Sequence, residues 1–191
     1  MHNRQHLAAA LLCLAAVGGA QATNVTLTPN GAWNEFFVVD PALSLGNTDL
    51  SWIDINDFSK LTFSFTVAAG FYATVTVVDG AFSGDVFSVS SNGVALANTS
   101  AAANSFPVST LDYSEALTNP AFSRCVYNFN AGSYTLGGAL FSSALDGDGL
   151  ALNATVGALK LEVSPVPEAS TLAMLLAGLG SIGLLARRRA A

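Results

Sequence analysis

The segment Lys60 to Gly80, KLTFSFTVAAGFYATVTVVDG, decides the fold. Leu61, Phe63, Phe65 and Val67 alternate strictly with Thr62, Ser64 and Thr66. A period of two puts the apolar set on one face and the hydroxyls on the other, the pattern of a half-buried antiparallel strand. Gly70 interrupts the run, Phe71, Ala73, Val75 and Val77 resume the alternation, and Asp79-Gly80 supplies a turn.

Both flanks carry the same grammar. DVFSVS (85–90) and GVALA (93–97) enclose Asn92-Gly93, a two-residue hairpin signal. SYTLGGALFSS (133–143), GLALNATVGALKLEV (149–163), NVTLT (24–28) and FFVVD (36–40) read as further strands, the first with a kink or bulge at Gly137-Gly138. Seven to nine short strands separated by turn signals predict an all-β antiparallel sandwich or jelly roll over residues 23–163. Segment 98–125, rich in Ser, Ala, Asn and Pro, reads as an exposed loop excursion with a helical turn near SEAL.

The ends differ from this body. Arg4, an apolar run from Leu7 to about Val17, and the small residues Ala20-Gln21-Ala22 compose a secretory signal peptide over 1–22, with cleavage after Ala22. Its apolar run is too short for a membrane span, which needs about 20 residues. Cys13 leaves with it, so Cys125 remains alone in the mature chain, as a small buried hydrophobe or as an intermolecular bridge. Pro165 and Pro167 punctuate a linker over 164–169. The uncharged run STLAMLLAGLGSIGLLA (170–186) follows, about 25 Å long as a helix and able to span a bilayer if its flanks adjust. Arg187, Arg188 and Arg189 in the tail 187–191 would stay cytoplasmic, leaving the body outside.

Composition removes several chemistries. Between Thr23 and Pro165 stand twelve acidic residues against Lys60, Arg124 and Lys160, a body about nine charges negative. That field repels phosphates, so nucleic acid is not an expected partner. Both histidines, His2 and His6, fall in the signal peptide. A mature chain without histidine cannot build a Ser-His-Asp or Cys-His centre or a His-ligated zinc site. A Ser-Lys dyad on Lys60 or Lys160 stays formally open, without a supporting motif.

Among the carboxylates, a glycosidase pair drawn from Glu35, Glu115 and Glu162 is the low-weight catalytic option. In ALDGDGLAL, Asp146 and Asp148 resemble the opening of a calcium loop, but Gly157 stands where the closing glutamate belongs. A plain turn explains that stretch equally, and the Asp49, Asp54, Asp57 cluster is equally ambiguous. Trp33, Trp52, Tyr72, Tyr113, Tyr127 and Tyr134 would stack on sugars if exposed in a row, and on an alternating scaffold they are more often core.

The arrangement Val166, Pro167, Glu168, Ala169, an uncharged helix and Arg187 to Arg189 resembles the PEP-CTERM sorting signal of exported bacterial proteins. Ala169 departs from the motif, which has proline there. The resemblance covers about 26 residues. It implies recognition by an exosortase, a membrane-embedded cysteine-type transpeptidase or protease acting near Pro167-Glu168, after transient membrane anchoring. It also implies a Gram-negative host that makes exopolysaccharide, and a fate at the cell surface or in the extracellular matrix. On that reading the chain is a structural surface protein rather than an enzyme. The alternative is an exopolysaccharide-binding module, with calcium as an optional cofactor.

Overall fold

The computed structural model describes residues 22–41, 49–167 and 174–179. Between Thr23 and Pro165 the chain forms eleven strands and one short helix. In chain order they are β1 (Thr23–Thr26), β2 (Asn34–Val38), β3 (Leu61–Val67), β4 (Phe71–Asp79), β5 (Ala81–Phe82), β6 (Val86–Ser91) and β7 (Val94–Ala95). β8 (Ser109–Thr110), α1 (Tyr113–Thr118), β9 (Arg124–Phe129), β10 (Gly132–Ser142) and β11 (Thr155–Pro165) follow.

A five-stranded sheet in the order β1-β3-β10-β6-β7 faces a four-stranded sheet in the order β2-β11-β4-β9. The alternation in β3 is realised: Leu61, Phe63, Phe65 and Val67 are buried, and Thr62 and Ser64 between them are only half-buried. Phe87, Val89, Leu136 and Leu140 join them from the same sheet. Val38, Ala73, Val75, Val77, Leu159, Leu161 and Phe129 enter from the other. Burial of this set, at about 25 cal/mol per Å² of apolar surface, is the main force holding the sheets together.

At the centre Phe36 stacks on Trp52, ring centroids 4.0 Å apart, and the edge of Phe87 meets Phe36 at 5.0 Å. Two glycines make room. Gly157 pairs directly with Phe36, and Trp52 lies against Gly138, where a methyl group would stand 2.4 Å from the indole. Gly137-Gly138 is therefore not a kink: the ladder between β10 and β6 runs through it and slips only between Leu140 and Ser142. Glycine is required there for ring contact rather than for backbone shape.

Four features differ from the sequence reading. The strand count exceeds nine because β5, β8 and β9 are added, and the first two have only two residues, too few to show a period. β1 runs parallel to β3, so the sandwich is not wholly antiparallel. Residues 149–154 are loop, and β11 continues to Pro165, which pairs with Phe71 at the sheet end. Segment 98–125 is exposed over residues 100–112, as expected, but its two ends are built into the sandwich. Thr99 is buried and bonded to the Phe87 amide, and Phe122 is fully buried. Helix α1 covers the outer face of the four-stranded sheet, where Tyr113 and Ala116 pack with Val78, Val156 and Ala158. β4 is consequently buried on both faces at its end, and Val77 and Val78 serve separate cores.

Candidate functional site

The C-terminal peptide leaves the body from a fixed point. β11 is paired to its last residue, and the Val166 amide then donates to Gly70 O at 2.8 Å, extending the ladder by one bond. Val166 and Pro167 are exposed. Glu168, Ala169 and Arg187 to Arg189 lie outside the described residues, as does Ala20, while Ala22 is exposed just before β1. Residues 174–179 are helical, and each is exposed: Met174, Leu175, Leu176 and Leu179 show 58–76% of their surface. Among the described residues no helix is long and apolar enough to cross a membrane.

The acidic candidates are occupied locally. Asp146 Oδ1 accepts the amides of Asp148 and Leu150, both at 2.9 Å, and the Gly149 amide closes the turn onto Asp146 O. This is a self-contained Asx turn of the kind aspartate favours. Asp49 accepts Lys60 Nζ at 2.7 Å, which with the Ser51 contacts holds its pKa below the usual carboxylate value. Asp54 takes the amide and side chain of Asn56, and Asp57 takes the Ser59 amide. The described residues contain no group of three or more His, Cys, Asp or Glu arranged to share a metal.

The three glutamates are separately engaged. Tyr113 donates its hydroxyl to Glu35 at 2.9 Å, Thr110 donates to Glu115 at 2.9 Å, and Lys160 bonds Glu162 at 3.1 Å. Burial first, and the Glu35 contact second, raise the Tyr113 pKa. Lys160 also sits 5.3 Å over the Trp33 ring. The aromatic residues form no row: Trp52, Tyr113 and Tyr127 are buried, and Tyr134 stacks on Phe65. Cys125 is half-buried against the main core with a free thiol.

Two features had weak sequence signals. The outer face of the five-stranded sheet holds a groove of about 550 Å³ lined by Thr26, Ser64, Thr66, Asn92, Ser133 and Thr135 together with Leu27, Phe65 and Tyr134. The polar half of the β3 alternation foretells its chemistry but not its shape. The second is the loop 79–85, where Asp79 and Asp85 are 0% and 1% exposed. A turn aspartate is ordinarily solvated, so only burial reveals this pair. Burial, then the charge of Asp85, push the Asp79 carboxyl up to about 9. Burial likewise raises Asp85, opposed by the Ala144 amide, which donates to its Oδ1 at 2.7 Å.

A β-sandwich followed by residues that are exposed where described, 166–167 and 174–179, is thus the class defined by fold and tail. Residues 165–189 match the PEP-CTERM protein-sorting motif. The chain therefore carries the signal of exported proteins that exosortase processes for the cell surface. No curated protein matches it. Among solved structures, the pre-peptidase C-terminal domain of a collagenase from Bacillus anthracis is similar. That likeness covers 75% of this chain and 97% of that one, at 11% identity and a TM-score of 0.39. So loose a likeness carries no argument about function.

Proposed function

We propose that the chain is a non-catalytic structural protein of the cell surface or extracellular matrix of a Gram-negative bacterium, anchored transiently by its C-terminal helix. The observation that carries this reading is the join between body and motif. β11 is hydrogen-bonded to its last residue and the matched motif begins there, so cutting after Pro167 would release the sandwich with its ladders complete. The exposed apolar residues 174–179 suit a membrane rather than a packed helix. At the other end, signal-peptide cleavage between Ala22 and Thr23 would begin the mature chain at the first residue of β1, whose amide donates to Lys60 O at 2.7 Å. Mass spectrometry of the mature surface-located protein tests this. The expected form starts at Thr23 and lacks peptide 170–191; persistence of that peptide in the surface form would refute the sorting reading.

A second reading, binding of exopolysaccharide, is favoured by the groove on the five-stranded sheet, which mixes hydroxyl and amide groups with Leu27, Phe65 and Tyr134. Such groups match sugar hydroxyls in hydrogen-bonding type. Polysaccharide pull-down by the intact protein, lost in a Ser64→Ala, Ser133→Ala, Thr135→Ala variant, would promote it over the structural role.

A further inference from the structure

Charge in the body is sorted along the strand axis. Val67 pairs Gly132, Ala73 pairs Phe129 and Phe71 pairs Pro165, so the turns 68–70 and 130–131 and the departing tail share one end of the sandwich. The hairpin tip Asn92-Gly93 lies beside them, its Asn92 amide donating to Thr135 O at 2.8 Å. No residue of 65–72, 91–94, 129–136 or 163–167 is charged. The stretches that serve the opposite end, 39–41, 49–60, 79–85, 96–123 and 143–154, hold ten of the body's twelve acidic residues. The other two are engaged: Glu35 accepts the Tyr113 hydroxyl at 2.9 Å, and Glu162 accepts Lys160 at 3.1 Å.

The uncharged end is also apolar. Ala68, Ala69, Gly70, Phe71 and Tyr72 are exposed in succession, with 42% of Phe71 and 38% of Tyr72 open to solvent. Val166, whose amide bonds Gly70 O, is 48% exposed beside them. From Ala73 inward every residue of β4 is buried or half-buried, so the bare rings are confined to the tip. At the opposite end the exposed apolar residues Leu111 and Leu150 stand one and two positions from Asp112 and Asp148, whose carboxylates keep water around them. An ionised group is costly to take out of water, so a surface without one is the face that can meet lipid. Amphipathic rings such as the tyrosine phenol settle at the membrane–water boundary, and a phenyl beside it adds apolar surface.

The tail limits how far this tip can stand from a bilayer. Val166 is fixed to the sandwich, and the uncharged run starts at Ser170, four Cα steps later. At 3.8 Å a step that distance is at most about 15 Å, against a headgroup layer roughly 5–8 Å deep. We propose that, before processing, the end of the sandwich bearing Phe71 and Tyr72 lies on the lipid surface from which the tail emerges, with both rings in the headgroup layer. The inference rests on the transient anchoring proposed above and gives the anchored body an orientation. The acidic end then points away: eight residue steps from Phe71 to Asp79 at 3.3 Å make about 26 Å, more than two Debye lengths in ~0.1 M salt. A body about nine charges negative thus escapes repulsion by anionic lipid.

The test uses the full-length chain reconstituted into vesicles of phosphatidylethanolamine and phosphatidylglycerol, with or without brominated phosphatidylcholine as a fluorescence quencher. The chain should float with the vesicles, and the indole introduced by Phe71→Trp should lose emission when the brominated lipid is present. Leu111→Trp, at the acidic end, should show no added loss over the unmodified chain, in which Trp52 is fully buried and Trp33 half-buried. Circular dichroism establishes that each variant is folded; if Phe71→Trp does not fold, Ala69→Trp in the exposed turn carries the test. Flotation without quenching of the introduced indole would overturn the docking, give the tip to a protein partner and leave the anchoring reading standing. Equal quenching at Leu111→Trp would overturn it too, because the body would then lie on the bilayer without orientation. Failure to float would overturn the anchoring reading and the docking with it.

Discussion

Gly138 shows how much one missing methyl decides in this core. An added Cβ would stand 2.4 Å from the fully buried Trp52 indole and 2.7 Å from Ser88 O, and neither is the free end of a flexible chain. Gly138→Ala should destabilise the fold by about 1–3 kcal/mol through overpacking, read as a lower urea midpoint at unchanged slope. A neutral result would mean that the Phe36–Trp52 stack can shift. Asp79 gives a pH signature. Its folded pKa of about 9 exceeds the ordinary 3.8, so the folded chain keeps a proton that the unfolded chain releases. That contribution is complete below about pH 4 and is lost as pH rises toward 9. The urea midpoint should fall between pH 5 and 9, and Asp79→Asn should flatten the fall. A midpoint rising over that window would contradict the assignment. Neither feature was legible in sequence, where Gly137-Gly138 read as a kink or bulge and Asp79-Gly80 as a turn.

At the scale of elements, α1 was glimpsed as a turn near SEAL and proves to be the cover of a second core. Asp112 caps it, its Oδ1 accepting the amides of Ser114 at 2.9 Å and Glu115 at 3.2 Å. Asp112→Ala should cost about 1 kcal/mol, with faster amide exchange in 112–119 while β3 and β4 stay protected. Uniform loss of protection would mean that α1 and the sandwich unfold as one unit. The hairpin at Asn92-Gly93 was legible from its dipeptide, and both residues have positive φ, 49° and 77°. β9 was not, although Cys125, Tyr127 and Phe129 alternate, because the polar segment before it masked the start of the pattern. β5 and β8 could not have been read, since two-residue strands exist only through the partner they pair with.

The whole molecule separates address from body. Glu168→Ala, or replacement of Arg187, Arg188 and Arg189 by Ala, should leave thermal unfolding of the body unchanged and abolish surface delivery, checked by fractionation and immunoblotting. Unfolding of the body on either change would break that separation. The sequence by itself determined the β class, the register of faces in β3 and β4, the absence of histidine from the body and the sorting motif. Each of those is a local pattern: a period of two, a composition, or a contiguous recognition peptide. Tertiary structure alone decided the parallel pairing of β1, the covering of the four-stranded sheet by α1, the glycine seats for Phe36 and Trp52, and the burial of Asp79 with Asp85. These depend on residues brought together across distances of up to about 120 positions in the chain, as with Phe36 and Gly157. No local pattern encodes such contacts; burial between packed sheets creates them, and it makes a turn aspartate hold its proton.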